Sequence, residues 1–238
     1  MSSGAVVQVW RVDLAGGNRD PEEMRSLLAR PELARLRRLR DDELARRWLV
    51  SRVALREILA RELRTSAAGV PLVTGPHGRP ALDGGLAREE LDFNLSHSGE
   101  LAVVALGRRV RVGIDIECQR PGRDPLRVAR RYFAEPEVAA ITALPEAERP
   151  AAFLRYWTAK EALAKGLGLG LRIGLGELEV SQRPGYLAPL RLAREWRIIE
   201  LAGLPRGYHG ALAVDREPAR FAVRDWPPAR GWSPTSSS

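Results

Sequence analysis

Apolar and polar positions alternate with a two-residue period from Val7 to Val12, which predicts a first strand. From Pro21 to Arg64 the pattern changes: leucines and alanines interleave with arginines at helical spacing. The run PLVTGPHGRPALDGG, residues 71–85, is dense enough in glycine and proline to predict a loop. Three strand-like runs follow, LDFNLS at 91–96, LAVVAL at 101–106 and RVRVGIDIE at 109–117. Gly107 and its arginine neighbours allow a turn, so RVRVGIDIE is expected to pair beside LAVVAL in one central sheet. Leu126–Ala143 and Pro150–Lys165 have helical composition, with Gly166 where a helix would stop. Further strands are expected around Leu178–Val180, Trp196–Leu201, Ala211–Val214 and Phe221–Val223, and WPPARGWSPTSSS reads as a disordered tail. A break near Arg111 divides the chain into comparable α+β halves, 1–111 and 112–228, before a tail at 229–238.

Composition narrows the class. A chain of 238 residues with 45% apolar content can bury a sizeable core, as one large domain or two packed halves. A net charge of +8 points to anionic partners, namely nucleic acid, a phosphorylated cofactor or an acidic protein; a solvated cationic surface explains it equally well. Cys118 is the only cysteine, which excludes an internal disulfide and a cysteine-based zinc site and fits a reducing, cytoplasmic setting. The first residues, MSSGAVVQVWR, lack the pattern of a secretory signal, and no apolar run reaches membrane-spanning length, so a soluble protein without a membrane partner is expected. His77, His97 and His209 are too scattered for metal-ligand spacing, and no GxSxG segment is present.

Chemistry concentrates in two segments. The chain has two lysines, Lys160 and Lys165, both in WTAKEALAKG, while every other cationic side chain is arginine. A lysine ammonium is a compact charge that can approach one phosphate oxygen or exchange a proton, whereas a guanidinium is a planar fork that stays charged. In VGIDIE the strand period puts Asp115 and Glu117 on one face, where two carboxylates repel unless a cation lies between them; the same pattern also describes a solvated acidic face. Glu161 can add a third oxygen, and Lys165 follows one turn later on the same side of the helix, although such a pair also makes an ordinary surface salt bridge. All-oxygen donors favour a hard ion such as magnesium. Arg79 in its Gly-Arg-Pro turn, together with Ser96, His97 and Ser98, can collect phosphate oxygens; His97 serves equally as a capping or packing residue.

Four segments stand in the order of one family: GRP at 78–80, FNLSHSG at 93–99, VGIDIE at 112–117 and WTAKEALAKGLGLGL at 157–171. Through them the chain resembles the Sfp-type 4′-phosphopantetheinyl transferases. The resemblance implies an α+β pseudo-dimer of two similar halves, with coenzyme A and magnesium in the cleft between them, a monomer being sufficient. It implies transfer of 4′-phosphopantetheine from coenzyme A to a serine of an apo acyl or peptidyl carrier protein, with release of adenosine 3′,5′-bisphosphate. By motif position Asp115, Glu117 and Glu161 look like the magnesium ligands, and Glu161 and Lys165 like the catalytic pair. Gly78, Arg79, Pro80, Ser96 and His97 look like coenzyme-binding residues, with His97 on the 3′-phosphate; Lys160, in the same signature, either joins them or organises the site. In the early helix, where the family offers lysines, this chain offers arginines such as Arg35, and it has Gly-Arg-Pro where the family usually has Gly-Lys-Pro. Two rival readings follow from charge and acids alone: a magnesium-dependent nuclease, and a noncatalytic nucleic-acid-binding protein. The shared motif order disfavours both, so nucleic acid is not an expected partner.

Overall fold

The computed structural model describes residues 4–15, 19–75, 79–83, 90–120, 122, 124–169, 174–183, 186–189, 195–218 and 220–227. The first part of the chain contributes β1 (Val6–Asp13), α1 (Pro21–Ser26), α2 (Arg30–Leu36), α3 (Asp42–Leu63), β2 (Leu72–Thr74), β3 (Pro80–Leu82), β4 (Leu91–Ser98) and β5 (Leu101–Arg108). The second contributes β6 (Val112–Cys118), α4 (Pro125–Tyr132), α5 (Glu135–Thr142), α6 (Arg149–Leu167), β7 (Val180–Arg183), β8 (Tyr186–Pro189), β9 (Arg197–Glu200), β10 (Tyr208–Val214) and β11 (Arg220–Trp226). One sheet runs β11-β1-β5-β4 and a second runs β6-β10-β9-β8-β7.

Alternation along the strands dictates a layered stack. Trp10 and Val12 of β1, with Ala102, Val104 and Leu106 of β5, pack on α3, whereas Val7, Val9, Val103 and Ala105 face the other way. There they meet Val112, Ile114 and Ile116 of β6 and Leu212 and Val214 of β10. The opposite face of β10, Ala211 and Ala213, packs on the alanine side of α6. The order is therefore α3, first sheet, second sheet, α6, and β5 is buried on both faces, which is why it reads as a continuous apolar run.

The expected pairing of the 109–117 run with LAVVAL does not occur. Both edges of β5 are taken, by β1 and β4, and β6 instead pairs antiparallel with β10. The free edge of β6 lies against β4, whose side chains stand in for a neighbouring strand: Asp92 Oδ2 accepts from Val112 N at 2.9 Å, Asn94 Oδ1 from Ile114 N at 2.9 Å, Ser96 Oγ from Ile116 N at 3.4 Å and Ser98 Oγ from Cys118 N at 3.1 Å. Four side chains thus satisfy four backbone donors that burial would otherwise leave unpaired.

Other expectations are corrected by local chemistry. The stretch 71–85 holds a short β2–β3 hairpin, Leu72 opposite Leu82, closed by Gly75 N donating to Arg79 O at 2.7 Å. Residues 21–64 form three helices because Asp20 caps α1 and Asp41 caps α3, accepting from Glu22 N and Leu44 N. Residues 126–143 form two, α5 restarting where Glu137 accepts from Ala134 N at 2.9 Å. Helix α6 runs through Gly166 and stops at Gly168, whose φ of 76° suits the left-handed cap. Gly166 serves packing instead: a Cβ there would lie 2.3 Å from Trp196 Cζ3. Finally, β11 returns to pair in parallel with β1, and Trp226 is buried against α3 with its Nε1 donating to Glu57 at 2.9 Å. The two sheets therefore do not separate at one cut near residue 111, and Trp226 is no part of a loose tail; residues 228–238 lie outside the described residues.

Candidate active site

The site grows from the junction of β4, β6 and α6. Gly113 lets α6 lie directly on β6, since a Cβ there would stand 2.0 Å from Ala162 O and 2.3 Å from Gly166 N. Two residues along, Asp115 leaves β6 on the same face, and Lys165 Nζ reaches it from the last turn of α6, 2.6 Å from Oδ1. Ser96 of β4 completes the contact, donating to Asp115 Oδ1 at 2.7 Å and accepting from Lys165 Nζ at 3.1 Å. Lys165 also donates to Ile114 O at 3.3 Å. Glu117 follows on the same edge, accepting from Ser98 Oγ at 2.8 Å. Helix α6 is anchored one turn before Glu161 by Trp157, whose ring packs against Tyr132, Phe133 and Phe153.

Glu161 lies within electrostatic reach of both strand carboxylates. Burial pushes its pKa above the usual carboxylate value, the charge of Asp115 and then Glu117 adds to this, and Lys165 opposes it. Among the described residues no three His, Cys, Asp or Glu side chains close on one point, so the expected ligand triad is not preassembled. Its chemistry nonetheless fits a hard divalent cation. Asp115 Oδ2 is buried with no hydrogen-bond partner, and an orphaned carboxylate oxygen among like charges is the arrangement that such an ion relieves.

The remaining expected residues divide. His97 keeps an exposed surface at the rim of the site, on the face of β4 opposite Ser96; the protein packed about its ring and then Lys165 lower its pKa, Arg47 does so more weakly, and Asp115 opposes. Arg35 is exposed and stacks over Trp48, 5.8 Å from the ring centroid, so it lies on the helical face of the molecule and not among the carboxylates. Arg79 donates to Lys165 O and to Phe93 O, and its Nη2 lies 3.3 Å from Asp92. Pro80 opens β3, while His77 and Gly78 lie outside the described residues. Lys160 requires a correction as a coenzyme-binding residue. Its side chain is wholly buried, 2.6 Å from Glu137 Oε2, donating to Leu175 O at 2.8 Å and lying over the Phe133 ring. Burial lowers its pKa and Glu137 opposes that shift, so the ammonium is an internal tie between α6, α5 and the turn before β7.

Sequence reasoning missed Asp92, Asn94 and Tyr208. The signal for the first two was the polar row at 92, 94, 96 and 98, readable as a solvent face. Tyr208 of β10 accepts from Glu100 N at 3.0 Å through its hydroxyl and so holds the turn after His97 and Ser98; nothing local in the sequence marks it. Beside Glu117 opens a small recess lined by Cys118, Pro125, Val128, Phe153 and Trp157.

Residues 111–213 match the 4′-phosphopantetheinyl transferase superfamily, and residues 18–108 match the 4′-phosphopantetheinyl transferase N-terminal family. The 4′-phosphopantetheinyl transferase HetI of Nostoc is 35% identical over 195 residues, covering 82% of this chain and 82% of that protein. The chain belongs to the 4′-phosphopantetheinyl transferase superfamily. A putative 4′-phosphopantetheinyl transferase of Synechocystis is 33% identical over 73% of this chain and 71% of its own length. The 4′-phosphopantetheinyl transferase Sfp of Bacillus subtilis is 28% identical over 67% of this chain and 68% of its own length. Phosphopantetheinyl transferases are enzymes, and the carboxylate, lysine and serine junction is where this one concentrates titratable groups.

Proposed function

We propose that this transferase moves 4′-phosphopantetheine from coenzyme A to a serine of an acyl or peptidyl carrier protein, using magnesium and releasing adenosine 3′,5′-bisphosphate. The observation that carries the reading is the Asp115–Ser96–Lys165 junction, a buried carboxylate with one oxygen unpartnered beside a lysine and a half-buried glutamate of raised pKa. Asp115, Glu117 and Glu161 would hold the metal. Magnesium there supplies charge neutralisation of the coenzyme pyrophosphate. Glu161, half-buried beside the strand carboxylates, takes the proton from the carrier serine hydroxyl, directly or through a water that it holds. Lys165 Nζ exchanges its contact with Asp115 for the reacting phosphate and stabilises the departing oxygen. Ser96 and His97, adjacent on β4 with Ser96 directed inward and His97 at the rim, bind coenzyme phosphates, His97 the 3′-phosphate.

In this reading the two sheets and their helices act as the two halves of a pseudo-dimer within a cytoplasmic monomer, 1–111 with β11 forming one and the rest of 112–228 the other, with the coenzyme in the cleft where β4 and β6 meet. Incubation of the protein with coenzyme A, magnesium and several apo-carriers, followed by intact-mass measurement, tests it. A gain of one phosphopantetheine on a carrier is expected, lost when magnesium is omitted and in Asp115→Ala. No gain on any carrier, or full activity in Asp115→Ala, overturns it.

A further inference from the structure

One guanidinium joins three elements of the site. Arg79, just before β3, donates through Nη1 to Lys165 O at the end of α6 and through Nη2 to Phe93 O of β4 at 2.6 Å, with Asp92 Oδ1 at 3.3 Å. The other oxygen of Asp92 accepts from Val112 N, the first amide of β6. The C-terminal turn of α6, the start of β6 and the middle of β4 are thus tied at one cation. A cation at that turn is further favoured because the last helical carbonyls carry negative partial charge. The ammonium of Lys165, whose own carbonyl Arg79 holds, points back to Ser96 and Asp115 on the same two strands.

We infer that Arg79 is a positioning residue: it fixes the last turn of α6 against β4 so that Lys165 meets Asp115 and Ser96. The catalytic part of this inference rests on the function proposed above. A planar fork can donate in two directions at once, to α6 and to β4, whereas a lysine at this position presents a single point of charge. Arginine in the Gly-Arg-Pro turn is then a requirement of geometry and not a conservative variant of lysine.

The test compares Arg79→Lys and Arg79→Ala with the unaltered protein, first by amide hydrogen exchange without coenzyme. Gly168 N and Leu169 N, bonded to Lys165 O and Ala164 O, should exchange about tenfold faster or more in both variants, the scale on which loss of a charged hydrogen bond shifts a local opening equilibrium, while α3 keeps its protection. In steady-state transfer both variants should lose kcat by about tenfold or more, with KM for coenzyme A within about twofold. Wild-type exchange and kcat in Arg79→Lys, with a raised KM in Arg79→Ala, overturn the inference and make Arg79 a coenzyme contact. Should Arg79→Ala fail to fold, Arg79→Lys alone decides. If the unaltered protein transfers nothing, the functional reading fails, and the exchange data still judge the clamp.

Discussion

Replacing Lys160 and Lys165 one at a time by methionine separates two residues of one helix that share a motif but not a role. Lys160 is completely buried, paired at 2.6 Å with a Glu137 side chain that is 2% exposed. Removing one partner of a buried pair leaves an uncompensated charge and costs about 3–5 kcal/mol. Glu137 also accepts from Ala134 N and Val180 N, each at 2.9 Å, which places the cost toward the lower end. For a chain of this size each kcal/mol moves Tm by about 2–4 °C, so Lys160→Met should melt about 6–20 °C lower. Lys165 is 28% exposed and water can take over part of its contact with Asp115, so Lys165→Met should cost about 1 kcal/mol and move Tm by about 4 °C or less. Catalysis should show the reverse order: a loss of about 100-fold or more in kcat for Lys165→Met, and near-normal kcat for Lys160→Met well below its Tm. Thermal unfolding followed by circular dichroism, with transfer assays at about 10 °C and 25 °C, separates the two. A Lys160→Met protein that melts like the wild type yet binds coenzyme A weakly would refute the reasoning and return Lys160 to the coenzyme.

Three further outcomes follow from named contacts. Asn94→Ala orphans the buried Ile114 amide at about 1–3 kcal/mol and should lower Tm by about 2–12 °C, with faster hydrogen exchange at Ile114; an unchanged Ile114 amide would show that β4 does not bond β6 there. Gly113→Ala drives a methyl into backbone atoms of α6, so a stability loss of about 3 kcal/mol or more is expected, and a wild-type Tm would mean that helix and strand are not in direct contact. Desolvation and Lys165 hold His97 below its ordinary pKa in the coenzyme-free protein, so a phosphate bound beside it must raise that pKa and draw in a proton. Coenzyme affinity should therefore weaken as pH rises through the bound-state value, with proton uptake between the free-state and bound-state values, measured calorimetrically in buffers of different ionisation enthalpy, that disappears in His97→Ala. No uptake in the wild type places the phosphate elsewhere.

The sequence pattern carried the strands well where one face was apolar and the other polar, and it carried which neighbouring positions share a face within a short segment. Asp115, Glu117 and Lys165 stand where two-residue and four-residue periods put them. It failed where partner choice is tertiary. Nothing in RVRVGIDIE states that β5 already has neighbours on both edges, and the shared motif could not distinguish a buried Lys160 from a reachable Lys165, because that depends on α5 delivering Glu137 from outside the segment. Gly166 was misread for the same reason. Gly166 looks like a stop by position, yet its missing Cβ is needed by Trp196, thirty residues away in sequence.

The row Asp92, Asn94, Ser96 and Ser98 shows how tertiary partner choice connects to chemistry. Alternating polar residues ordinarily mark the wet side of a sheet, because burying a polar side chain without a partner costs more than exposing it. Here every second residue of β4 is polar and buried, and the arrangement is tolerable only because the edge of β6 presents amides at the same two-residue spacing. Two sheet edges that could have paired by backbone are thereby held one side-chain length apart. That gap admits the Asp115 and Glu117 side chains beside Ser96 and Ser98, and Lys165 enters it from α6. Had β4 and β6 paired directly, the backbone ladder would have closed this space and left the carboxylates no junction to share with Lys165.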